Sequence, residues 1–111
     1  MAAYIPRQGD FVSVTFDPQS GHEHLGRRPA LVVSKDAFNR HTGFAMLCPI
    51  TNTRRDYPFH VDLSHEKGVM GFVMVEQLKS LDYRARDAKR IGKASDEVLS
   101  NVLALLDACL Y

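Results

Sequence analysis

The chain has 111 residues, 45% of them apolar and 24% charged, with a formal net charge of +1. That length suits a single domain over residues 1–111 with a core of its own, and that composition excludes a disordered chain. No apolar run approaches the roughly 20 residues of a bilayer span, and the opening "MAAYIPRQGD" lacks a signal peptide's apolar region, so a soluble cytoplasmic protein is expected.

Gly9-Asp10 punctuates the chain, and "FVSVTF" then alternates Val12, Val14 and Phe16 against Phe11, Ser13 and Thr15. That period of two is a strand signal. Residues 17–28 follow as a long loop broken by Asp-Pro and two glycines, and such loops in small domains are often functional. "PALVVS" makes the second strand, with Pro29 at its first position, where a missing N–H is tolerated. Its unbroken apolar run implies burial on both faces.

"KDAFNRHTG" turns the chain through a short helical turn, and "FAMLCPIT" is a third strand. Pro49 implies an edge or a bulge at the end of that strand. After the loop "NTRRD", "YPFHVDL" alternates Phe59, Val61 and Leu63 inward, "SHEKG" turns, and "VMGFVMV" is a fifth strand. Short strands and loops run on to Ala94. Ser95 then caps a helix with Asp96 and Glu97 in its first turn, where the dipole favours negative charge. Val98, Leu99, Val102, Leu103, Leu105, Leu106 and Leu110 form its apolar stripe. About five short strands and one terminal helix predict a small, partly closed barrel capped by the helix.

Near-neutral charge hides a local pattern. Arg27, Arg28, Lys35, Arg40, Arg54 and Arg55 are met by one acid, Asp36, and Lys79, Arg84, Arg86, Lys89, Arg90 and Lys93 by Asp82 and Asp87. Two such stretches on one face would make a positive groove. His22-Glu23-His24, His60 and His65 do not have the spacing of a metal site. Cys48 and Cys109 lack C-x-x-C spacing and read as reduced, buried thiols. The phosphate-loop, nucleophile-elbow and dinucleotide fingerprints are absent from the sequence, which disfavours nucleotide-dependent and acyl-transfer enzymes.

What remains is an arginine, a threonine and two glutamates near strand ends: Arg28, Thr51, Glu23 and Glu76. Metal-free RNA cleavage needs such a set. The 2′-hydroxyl is an internal nucleophile, so the site must take its proton, stabilise a phosphorane and let a proton reach the leaving 5′-oxygen. A carboxylate serves the first need and a fixed guanidinium the second.

The ordered motifs "GDFVSVTFDP", "GHE", "RRPALVVS", "CPIT", "YPFHV" and "EQLKSLD" resemble the MazF/PemK family of toxin endoribonucleases, in order from Gly9 to Asp82. The resemblance implies an SH3-like barrel with a C-terminal helix, working as a homodimer in the cytoplasm. It implies cleavage of single-stranded RNA without metal or other cofactor, leaving a 2′,3′-cyclic phosphate and a 5′-hydroxyl. It implies an antitoxin whose disordered acidic tail occupies the basic groove. By motif, Arg28 matches the essential arginine, Thr51 the essential threonine, and Glu23 an acidic loop position implicated in activity. Glu76 falls where some members have a catalytic aspartate. Those members carry an arginine where this chain has Met74, so the general base stays open: Glu23, Glu76 or neither. RNA is expected along Arg27, Asn52, Thr53, Arg54, Arg55, Gln77, Lys79, Arg84 and Arg86.

A competing reading is a non-enzymatic, gyrase-binding toxin resembling the CcdB group. That group uses a C-terminal tryptophan, and this chain has none. An inactive RNA-binding barrel is a third reading. Of the two adjacent arginines, Arg28 starts from a root stiffened by Pro29. Arg27 is expected to lie in the mobile loop, point away and contribute only attraction for the RNA backbone. Loss of either side chain is expected to leave the thermal midpoint unchanged.

Overall fold

A computed structural model describes residues 3–16 and 26–111. Its elements are β1 (Asp10–Thr15), β2 (Arg27–Val32), α1 (Asp36–Thr42), β3 (Phe44–Thr51), β4 (His60–Asp62), β5 (Phe72–Met74), a 3-10 turn (Val75–Gln77), β6 (Lys79–Asp82), β7 (Lys89–Lys93) and α2 (Asp96–Leu110). Seven strands therefore replace the expected five. They pair antiparallel in the order β4-β5-β3-β2-β1-β7, with β6 also on β3. The ends of that path do not pair, so hydrogen bonding does not close the sheet into a barrel. No helix is long and apolar enough to cross a membrane among the described residues.

Alternation along the strands sends side chains to two cores. Phe11, Leu31, Cys48, Ile50 and Val73 meet Val98, Val102 and Leu106 of α2 on one side. Val12, Val14, Ala30, Val32, Ala45, Leu47 and Leu81 pack with Tyr83 on the other. The run Ala30–Val33 is buried throughout, as its lack of alternation implied. Each fully buried Leu, Val or Phe here contributes about 1.5–3 kcal/mol over an exposed one. Ser95 caps α2, its Oγ accepting from the Val98 N–H at 3.2 Å. The apolar stripe is narrower than expected: Leu99, Leu103 and Leu105 are half-buried and Leu110 is exposed.

Two prolines sit where the ladder has a vacancy. β2 pairs β1 along Arg27–Leu31 but meets β3 only from Ala30 onward. Pro29 is thus the third residue of its strand rather than the first, on a stretch flanked from one side only. β3 runs through Pro49 to Thr51, the span that the sequence implied. On the flank away from β2, β3 pairs β6 through Leu47 and β5 from Ile50. Pro49 occupies the interval between those partners, where a residue without an N–H is tolerated. The predicted fifth strand is cut to Phe72–Met74 because Gly71, at φ +112°, breaks the extended run before it.

Candidate active site

β2 and β3 pair at Ala30–Pro49, Leu31–Cys48 and Val32–Leu47, and then part. The same register two residues on would set Arg28 against Thr51. Instead Arg28 pairs with Val14 on β1 and Thr51 with Phe72 on β5. The sheet opens at this end, with an exposed arginine on one lip and a threonine on the other. Arg28 lines a recess of about 480 Å³ with Pro29, Asn52, Met70 and Ile91.

Beyond Thr51 the chain alternates as an extended segment does. Thr51, Thr53, Arg55 and Tyr57 line a recess of about 350 Å³ with His60, Met74, Glu76 and Gln77. Asn52 and Arg54 turn to the other side, against Asp62, Met70 and Phe72, where the Arg54 guanidinium lies 5.8 Å from the Phe72 ring centre. Thr51 Oγ1 accepts from the Thr53 N–H at 3.1 Å. That bond fixes the hydroxyl and leaves its proton for a ligand. The structure thus brings Thr51 and Glu76 to one recess and places Arg28 in another, which Asn52, next to Thr51 in the chain, also lines. Glu23 lies outside the described residues, as do His22 and His24.

Glu76 stands on the 3-10 turn after β5. The Val75 N–H donates to Phe59 O at 3.1 Å, closing that turn onto the start of β4. His60 is consequently a neighbour, its Nε2 3.1 Å from Glu76 Oε2. In the sequence His60 is a metal-ligand candidate that the spacing of the histidines does not support, and the alternation of Phe59, Val61 and Leu63 sets it on the opposite face. The signal that finds it is the pairing of β4 with β5, which sets His60 against Met74, two residues before Glu76.

Arg27 departs from expectation. It belongs to β2 rather than to a free loop, and its side chain is only 20% exposed. Its guanidinium donates to Ser13 O and Asp87 O at 2.8 Å each, to Ser13 Oγ at 3.1 Å and to Asp87 Oδ2 at 3.2 Å. It ties β1 and β2 to the turn before β7 and is spent within the fold. Arg27→Ala is expected to cost about 1–3 kcal/mol, because two carbonyls lose a charged donor. That is a fall of ~5–15 °C in the thermal midpoint, measurable by calorimetry; an unchanged midpoint would show the network to be idle. Arg86 is spent similarly, donating to Phe16 O at 2.6 Å. Arg40, Lys89 and Arg90 lie in ion pairs. Arg28, Arg54, Arg55, Lys79 and Arg84 are the exposed cations of the predicted set, with Gln77 exposed beside Glu76.

Of the two cysteines expected to be buried, Cys109 is exposed in the last turn of α2, and Cys48 is buried; burial pushes its thiol up to about 12, with the charges of Glu76 and Cys109 adding to the effect. A thiol so placed stays protonated at neutral pH and is no nucleophile. Among the described residues, no three His, Cys, Asp or Glu side chains converge as metal ligands do.

Comparison with known proteins adds four findings. Residues 7–110 match the family model described as PemK-like, MazF-like toxin of type II toxin–antitoxin system. The chain is 49% identical to the endoribonuclease toxin ChpB of Escherichia coli K12, over 91% of this chain and 90% of that protein. It is 36% identical to the endoribonuclease toxin MazF of the same strain, over 99% and 98%. A crystal structure of MazE–MazF from Deinococcus radiodurans superposes with a TM-score of 0.87 at 41% identity, covering 96% of this chain and 97% of that one.

Proposed function

The chain belongs to the PemK-like, MazF-like toxins of type II toxin–antitoxin systems, and from that premise we propose that it is an endoribonuclease that cuts single-stranded RNA without a metal ion. The observation that carries this reading is the parted end of β2 and β3, with exposed Arg28 on one lip and Thr51, in one recess with Glu76, on the other. RNA laid over that opening meets a guanidinium on one side and a hydroxyl and a carboxylate on the other.

In this reading Glu76 takes the proton of the 2′-hydroxyl, and the 2′-oxygen attacks the adjacent phosphorus. Arg28 holds the equatorial oxygens of the phosphorane with its planar fork, and Thr51 donates its free proton to one of them. The bond from phosphorus to the 5′-oxygen breaks, and that oxygen takes up a proton from water in the groove. A 2′,3′-cyclic phosphate and a 5′-hydroxyl result. The side chains do all of this chemistry, and the nucleophile belongs to the substrate, so chelator leaves the reaction intact. Glu23, five residues before Arg28 in the sequence, is the other carboxylate candidate for the base.

Asn52, Thr53, Arg54, Arg55 and Gln77 bind the strand near the cut, and Lys79 and Arg84 attract its backbone. Cleavage of messenger RNA in the cytoplasm would then arrest translation. The sheet is read as a partly open SH3-like barrel. Met70, Leu110 and Tyr111 are exposed apolar side chains, which supports pairing into a homodimer and cover by a MazE-like antitoxin with an acidic tail.

Primer extension on a long RNA incubated with the protein and chelator tests the reading. Discrete stops at a short recurring sequence are expected. RNA left uniformly intact by excess protein would sink it.

A further inference from the structure

The ring of His60 is buried, with its side chain only 4% exposed. Tyr57 covers it edge-on, the ring centres 5.1 Å apart. Nε2 meets Glu76 Oε2 at 3.1 Å, while Nδ1 is buried with no hydrogen-bond partner. A buried polar atom left unpaired needs an explanation, and here it bears on which ring nitrogen carries the proton.

A proton on Nδ1 would be a buried donor without an acceptor, which native structures rarely tolerate. The form that avoids such a donor carries its proton on Nε2, between ring and carboxylate. Glu76 therefore accepts through Oε2 and keeps Oε1 for another donor. Met74, paired across from His60 and lining the same recess, has no proton to give.

We propose that His60 is a positioning residue for Glu76. Its neutral ring donates Nε2–H to Oε2, holds the carboxylate against the Thr51 side of the recess, and leaves Oε1 to receive the 2′-hydroxyl proton. His60 itself does not touch RNA. This inference rests on the ribonuclease reading above. A carboxylate on a short turn samples several rotamers, and displacement of about 1 Å at a reacting group costs up to ~10²-fold in rate.

The test compares wild type with His60→Ala, His60→Asn and His60→Gln on one RNA substrate, with thermal midpoints recorded for each. A glutamine amide nitrogen lies near the position of Nε2, and an asparagine nitrogen near that of Nδ1. His60→Ala and His60→Asn are expected to lose about 10–10²-fold in kcat, as partners that orient a functional group do, with KM nearly unchanged. His60→Gln is expected to recover most of that loss. Nitrogen-15 NMR of the wild-type ring, which needs no variant, is expected to show the proton on Nε2. A ring protonated at Nδ1, or asparagine serving as well as glutamine, overturns the proposal. Wild-type kcat in His60→Ala overturns it alone. Wild-type protein that leaves RNA intact overturns the ribonuclease reading and this role with it.

Discussion

Arg28→Ala is expected to lower the RNA cleavage rate by at least ~10²-fold, the usual cost of losing a preorganised stabiliser of developing charge. Arg28 is held on both sides along the chain. Arg27 before it is tied to Ser13 and Asp87, and Pro29 after it restricts its backbone to extended geometry. Its partner across the ladder is Val14 on β1, and on its other side the sheet is open. A guanidinium on so fixed a root needs little ordering to grip two phosphate oxygens at once. Arg28→Lys is expected to recover little, since an ammonium is a point charge and cannot reproduce the fork. The side chain is exposed, so the thermal midpoint of either variant should stay within about 2 °C of wild type, as for surface substitutions. Single-turnover rates on a saturating RNA measure the effect. Normal cleavage by Arg28→Ala would remove Arg28 from the chemistry.

Gly71→Ala is expected to damage fold and site together. Gly71 adopts φ +112°, and a Cβ there would lie 2.3 Å from Thr51 O and 3.2 Å from Asn52 Oδ1. The backbone conformation alone costs about 1–3 kcal/mol for alanine, and the carbonyl must also move away. A total loss of about 3 kcal/mol or more corresponds to a midpoint lowered by at least ~10 °C in a domain of this size. Thr51 moves with its carbonyl, so cleavage should fall even at temperatures where the variant is folded. Gly68→Ala is the control, because Gly68 is also left-handed, at φ +79°, but has open space where its Cβ would go. Equal midpoints for the two variants, read by circular dichroism, would mean that the close approach to Thr51 does not constrain the fold.

The sequence made some of this architecture legible because the signals were local. Alternation in "FVSVTF", the apolar run at Ala30–Val33, and Ser95 before Asp96 and Glu97 each act within a few residues, and β1, β2 and α2 follow from them. The motifs around Arg28 and Thr51 pointed to the two lips of the opening. What escaped notice depends on distant pairing. Arg27 looked free because the groups that bind it are 12 to 60 residues away. His60 looked like a solvent-face histidine because its partner, 16 residues on, arrives only when β5 folds back on β4 and the 3-10 turn follows. Pro49 was legible as an edge or a bulge, but nothing nearby announces that β3 changes partners beside it.

The central claim is that the substrate's own 2′-hydroxyl, and no group or ion brought by the protein, attacks the phosphorus. A short RNA carrying one mapped cleavage site tests it most directly, compared with the same strand bearing a single 2′-deoxy nucleotide immediately 5′ to the scissile phosphate. Both are incubated with the protein in excess chelator, and the products are weighed by mass spectrometry. The account predicts that the RNA is cut to a 2′,3′-cyclic phosphate and a 5′-hydroxyl while the substituted strand stays whole. Cleavage of the substituted strand at the same bond, or of the RNA to a 5′-phosphate, would contradict it.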